Sequence, residues 1–276
     1  MNDFSNPEAD LGAAISMPGR RSGSIIVARI LLLVIFLVIW QESVAAGLAN
    51  PAFISTPVGI AQSLWHLLND GELLPNLGTT LLEIMISFVL SVVFGVVSAV
   101  VLDRNDGFNQ ILSPFLTAFN SMPRIALGPL FILWFGIGIT SKIVLALSLG
   151  YFIMLLSTLG GLKNVDRDLL LMSRLFGASE LRLFYHVRLP WALPGIFAGL
   201  RLTLIYCSAG AVIGEMIAAE SGLGLLVQTF SGRFDIAGVM ALILVVALMV
   251  MVLTSLMDIS ERRLLEWSKG STDVPR

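Results

Sequence analysis

Four ionisable residues inside long apolar runs of this 276-residue chain are candidates to carry chemistry: Glu83, Arg124, Arg201 and Glu215. At the depth of a bilayer such a group costs on the order of a few kcal/mol unless it faces a bundle interior, a partner or water. The chemistry it offers is electrostatic, either a route or gate for a charged solute or an ion pair between helices. Glu83, Arg124 and Glu215 are therefore path candidates, joined by Asn120 and Ser121, which precede a proline-rich break. Arg201 lies near the end of its run, where its long stem can reach the interface, and is the weakest of the four. Covalent and metal chemistry find no pattern. His66, His186 and Cys207 are scattered singly, no Gly-x-Ser-x-Gly elbow occurs, and no glycine-rich loop ends in Gly-Lys-Ser or Gly-Lys-Thr. The lone Cys207 sits in an apolar stretch and reads as a small core residue. Catalysis is not expected of this chain, and any ATP that drives it must be bound elsewhere.

The elements that hold these residues follow from composition. With 56% hydrophobic and 13% charged residues and a net charge of −2, the chain has too little polar surface for a soluble domain of its size. The near-neutral balance argues against a nucleic-acid partner and leaves membrane lipid as the surrounding. Apolar stretches long enough for a roughly 30 Å hydrocarbon core recur at about 25–45, 77–102, 115–135, 143–162, 191–217 and 236–257. The reading is an all-α membrane protein with six transmembrane helices. The first run is longer than the roughly 7–15 residues of a signal-peptide core and reads as a retained span over 24–46, after a polar tail at 1–23. The core of five spans covers 77–267, with a second tail at 268–276. Lys and Arg set the orientation. Residues 47–76 contain neither, whereas 163–189 carry Lys163, Arg167, Arg174, Arg182 and Arg188. Both termini and the 163–189 loop are predicted in the cytoplasm, and 47–76 outside, with an interfacial helix near 58–68 that sets Trp65 and His66 at headgroup level.

The third run contains Pro114, Pro123 and Pro129 and cannot be one straight helix. Broken backbone at membrane depth survives only where protein buries it or a cavity borders it, so this run is placed beside a pathway. The aromatics Trp134, Phe135, Tyr151 and Phe152 are assigned to packing. Gly95 with Ser87, Ser91 and Ser98 offers a surface for close helix contact. Gly222 and Gly224 precede a piece at 225–230 too short to span.

The stretch 166–190, DRDLLLMSRLFGASELRLFYHVRLP, is neither apolar enough to span nor a plain linker. Its periodicity predicts two short amphipathic helices, one carrying Leu169, Met172, Ser173 and Phe176, the other Leu181, Phe184 and Val187. Gly177 ends the first with a positive φ, Ser179 caps the second with Glu180 in its first turn, and Pro190 opens a new helix. The spacing of Gly177, Val187, Leu189 and Pro190 resembles the cytoplasmic loop motif of permease subunits of binding-protein-dependent ABC importers. The run PRIALGPLFILWFGIGITSKI resembles the nitrate, taurine and aliphatic-sulfonate branch, and the likeness extends over about 55–267.

The resemblance implies a type I ABC importer permease fold in a bacterial inner membrane, with a cytoplasmic coupling helix. It implies two ATPase subunits that bind ATP and Mg, a second permease copy as a homodimer, and a periplasmic or lipid-anchored substrate-binding protein. The ATPase-coupling residues become Leu171, Met172, Ser173, Arg174, Gly177, Ala178, Ser179, Val187, Leu189 and Pro190. Where the family has Glu-Ala-Ala this chain has Leu171, Met172 and Ser173, which implies a more apolar contact with Arg174 as the nearest charge. The implied solute is a small anion of the sulfonate, taurine or nitrate type, with an uncharged cofactor precursor as the alternative. A secondary transporter driven by an ion gradient also fits the buried acids, but no internal repeat is visible and the helical pair at 166–190 would be idle.

Overall fold

The computed structural model describes residues 22–48, 50 and 53–264, and the two expected tails lie largely outside them. The chain divides into two units at Gly59. The first holds α1 (Ser22–Ala45), whose apolar side chains between Ile26 and Ile39 face outward, as a helix solvated by lipid would present them. Helix α2 (Pro57–Asn69) follows, with Trp65 65% exposed.

The second unit is built on α3 (Leu73–Arg104), α6 (Ile139–Lys163) and α9 (Leu189–Ile217), with α6 packed against both others. Small residues set that spacing. A methyl on Gly95 would stand 2.7 Å from Met154 Cβ, and one on Gly150 would stand 2.5 Å from Cys207 Sγ and 2.6 Å from Ser91 Oγ. Without a hydrophobic drive between helices in lipid, such close approach is what dispersion needs. Cys207 is fully buried in this seam, as its setting predicted.

Between α3 and α6 the chain forms α4 (Asp106–Ser121), a short 3₁₀ turn (Arg124–Leu127) and α5 (Gly128–Phe135), with an 81° bend at the break. Met122, forced out of the helical region by the proline after it, is extended (φ −69°, ψ 139°). The proline signal thus marked the break, although the span begins earlier than expected. Counting the bent pair as one, six helices or helix pairs among the described residues are long and apolar enough to cross a membrane. After α6 come α7 (Arg167–Leu175), α8 (Glu180–Leu183) and a π turn (Phe184–Arg188) that runs into α9. Helices α10 (Leu223–Gly232) and α11 (Ile236–Leu264) complete the unit.

Pro190 stands in the first turn of α9, as expected, where its missing N–H costs nothing, and the π turn before it, in which Leu189 N–H donates to Phe184 O, leads into that helix without a gap. One expectation for 166–190 needs correction. The buried side chains here are Leu183 and Phe184, while Leu181 is 59% exposed.

Candidate functional site

Three constellations of polar or exposed side chains follow from this architecture. The first is the α7–α8 hairpin. Asp166 caps α7 by accepting from Asp168 N at 2.8 Å, and Ser179 caps α8 by accepting from Arg182 N. Gly177 has φ +78°, and the N–H groups of Gly177 and Ala178 donate to Arg174 O and Ser173 O at 2.9 and 3.1 Å. Nothing lies within 4 Å of where a Cβ on Gly177 would stand, so the tight turn is open to approach from outside the chain. Around it Leu171, Met172, Leu175 and Phe176 are exposed, Phe176 at 90%, with the Arg174–Glu180 ion pair at 3.0 Å closing the turn. The expected face of α7 forms but covers nothing. Val187, Leu189 and Pro190 are half-buried at the root of the hairpin and belong to its anchoring rather than to its exposed tip.

The second lies at the break in the α4–α5 pair. Arg124 is 9% exposed and all five of its N–H groups are used. Nε donates to Phe119 O, Nη1 to Ser148 O and Leu149 O, and Nη2 to Asn120 O and Asn120 Oδ1, the last at 2.6 Å. The guanidinium also lies over the Phe152 ring, 4.3 Å from its centroid. Carbonyl dipoles stabilise this cation, and among the described residues it forms no ion pair with a carboxylate, so its charge is not cancelled locally. Asn120 and Arg124, with Met122, Leu149, Ile153, Ser157 and Tyr206, border a cavity of about 550 Å³. A second cavity of about 360 Å³ shares Leu156 and Ser157 with it and continues along Gly160, Gly161 and Gly195 to Asn164 and Trp191, toward the hairpin end. Ser121 turns away and donates to Thr117 O. Trp134 and Phe135 meet the Phe131 ring yet stay exposed, and Tyr151 meets Phe152 edge-on.

The third is at the α10 end of the core. Glu215, fully buried, accepts from Thr80 Oγ1 and from Gly224 N, each at 2.7 Å. Thr80 Oγ1 accepts from Leu223 N, and Asn76 Oδ1 from Gly222 N. The N–H groups of residues 222–224 at the start of α10 are thus all taken by side chains of α3 and α9, and a carboxylate at a helix N-terminus is well placed. Glu83, 1% exposed, lies beside Glu215, and its Oε2 has no hydrogen-bond partner among the described residues. The Lys142 ammonium feels both acids and donates to Ile137 O and Gly138 O. Glu83 and Glu215 are brought together here, away from Arg124. Sequence reasoning missed Lys142, Thr80 and Asn76. Lys142 stands just before an apolar run, and only the meeting of α3, α6 and α9 gives it a role. Arg201 pairs with Asp258 and Glu261 at 2.6 and 2.7 Å and is a structural link between α9 and α11.

A helical bundle with a broken span, uncancelled charge beside an open cavity and an uncovered hairpin fits a membrane transport subunit. Residues 91–266 match the family described as binding-protein-dependent transport system inner membrane component, and the chain belongs to that family. It is 33% identical over 236 residues to the riboflavin transport system permease protein of Chloroflexus aurantiacus, covering 85% of this chain and 88% of that one. It is 30% identical over 240 residues to the taurine transport system permease protein of Escherichia coli, covering 85% and 87%. In structure it resembles a chain of the inward-facing MetNI methionine ABC transporter, with a TM-score of 0.59 and 24% identity over 70% of this chain and 94% of that one. That likeness is of fold, and it agrees with the type I importer permease architecture expected from the sequence. The chain is a permease subunit of an ABC importer; such subunits are not themselves catalytic.

Proposed function

We propose that this permease carries a small anion inward through the cavity bordered by Arg124, driven by two copies of an ATPase subunit that dock on the α7–α8 hairpin. The hairpin end is then cytoplasmic with both termini, the α10 end faces the periplasmic binding protein, and two copies of the chain enclose the path. The charge balance of the connecting segments supports this orientation. The observation that carries the substrate class is the Arg124 cation, which has five carbonyl oxygens around it and, among the described residues, no carboxylate partner. In a low-dielectric cavity its field repels cations and favours anions. The relation to a taurine permease supports the same class.

A second reading has its own support. Because no N–H of Arg124 is left free, the site offers a field and no ligating fork, which an uncharged heterocycle also tolerates; one relative carries riboflavin in its name. Uptake into proteoliposomes holding the permease, its ATPase and its binding protein separates the two. With ethanesulfonate and riboflavin as probes, ATP-dependent uptake of ethanesulfonate is expected, and Arg124→Gln should lower it about tenfold, equivalent to about 1.4 kcal/mol. Uptake of riboflavin alone, unmoved by Arg124→Gln, would establish the second reading. Uptake driven by a proton or sodium gradient without the ATPase would remove both.

A further inference from the structure

The hairpin meets the core at one polar joint. Arg188, the last residue of the π turn, donates from Nη1 to Asp103 Oδ2 at 2.8 Å, and the Asp103 side chain is only 6% exposed. Next to it Arg104 lies 5.0 Å from the centroid of the Phe184 ring. Phe184 is packed in the core cluster of Met154, Leu162, Ala192 and Ile196, so the joint is anchored on both sides. Between hairpin and core a cavity of about 580 Å³ opens, into which Asp103, Arg104, Asp106, Arg174, Glu180 and Arg188 all project. The hairpin is thus held at its root by the ion pair together with buried Leu183 and Phe184, with space rather than packing farther out.

Asp103 and Arg104 are the last residues of α3, and Asn105, non-helical at φ −127° and ψ 88°, turns the chain into α4. Helix α4 has no fully buried residue, and its Leu112 and Leu116 pack against the core cluster of Ala99, Leu102, Leu155 and Leu159. Its far end is held by Arg124, which grips Phe119 O and Asn120 on one side and the α6 carbonyls on the other. A helix fixed at its two ends and loosely packed between them moves as a lever when one end is displaced. A π turn is a common local device where a helix must yield, and here it sits between hairpin and α9.

We infer that the Arg188–Asp103 pair is the strut through which hairpin movement reaches the α3–α4 elbow and, along α4, the Arg124 cavity. These are positioning residues for transport, and the inference rests on the hairpin being the ATPase dock. The pair is directional and short, whereas the neighbouring Arg174–Glu180 pair is exposed and internal to the hairpin and can transmit nothing to the core.

The test uses the full complex with its ATPase in proteoliposomes and a reporter cysteine, Ser121→Cys, at the end of α4. Native Cys207 is buried and does not compete for label. Two quantities are read: ATP hydrolysis, and the change in maleimide labelling of the reporter on trapping with ATP and vanadate. The parent complex should change its labelling rate severalfold. Asp103→Asn and Arg188→Gln should keep hydrolysis within about twofold and lose the labelling response, and the swap Asp103→Arg with Arg188→Asp should restore at least half of it. Single variants that keep the response would overturn the strut. So would a swap that restores nothing, or singles that no longer assemble with the ATPase, which would make the pair architectural. If the parent complex itself neither assembles nor responds, the docking reading fails, and that outcome is distinct from failure of the strut.

Discussion

At the α10 end of the core the chain satisfies its own donors, although Glu83 Oε2 lacks a partner among the described residues: three successive N–H groups find Asn76, Thr80 and Glu215, and the Lys142 ammonium finds two carbonyls. At the hairpin end it does the reverse, holding a capped turn whose Leu171, Met172, Leu175 and Phe176 are exposed. Both ends use a positive-φ glycine and side chains that accept from backbone N–H groups, and the hairpin adds an ion pair. The difference is where the apolar side chains go. A closed polar network specifies one conformation, which suits a part that must hold its shape. An exposed apolar patch on an ordered turn is a surface awaiting a partner, and the proposed partner is the ATPase.

Substitutions that exchange the characters of the two ends test this contrast. The largest effect is expected from Gly177→Glu, which sets a bulky charge at φ +78° on the open turn. The chain should still insert, because nothing within it occupies that space, but co-purification with the ATPase and transport should be lost. Gly177→Asn, which tolerates the left-handed conformation, should keep most of both. At the other end the expected losses are of stability. Gly224→Ala would set a methyl 2.3 Å from Val212 O and should lower the melting temperature more than Glu215→Ala. Glu215→Ala leaves Gly224 N–H buried without its acceptor, which costs about 1–3 kcal/mol, while the Thr80 hydroxyl can still turn to Asn76 O at 3.1 Å. Thermal unfolding in detergent measures both; if either end responds in the manner of the other, the contrast is wrong.

What was legible in the sequence was local. Gly177 and Ser179 act through neighbours a few residues away, and Pro123 breaks its span whatever surrounds it. The class of fold followed because long apolar runs in one chain leave few other solutions. The residues that were missed act across the fold. Arg188 meets Asp103 across 85 positions of sequence, and Thr80 meets Glu215 across 135. No periodicity reports such a meeting. Asp103 and Arg104 at the end of an apolar run marked that end as polar without naming a partner. The wider turn at Phe184–Arg188 also changed which residues are buried, so simple 3.6-residue spacing chose Leu181 where the fold buries Leu183. Arg124 was picked out as buried charge, but its five carbonyl partners come from two helices that only the break brings together.

The claim that the hairpin is the dock, and the α10 end is not, is tested most directly by photocross-linking. A benzophenone amino acid replaces either Phe176 or Phe234, which are 90% and 86% exposed at the two ends. In the assembled complex the probe at position 176 should yield an adduct with the ATPase subunit, and the probe at 234 should yield none. An ATPase adduct from 234, or from neither position in a complex that hydrolyses ATP, would contradict the account.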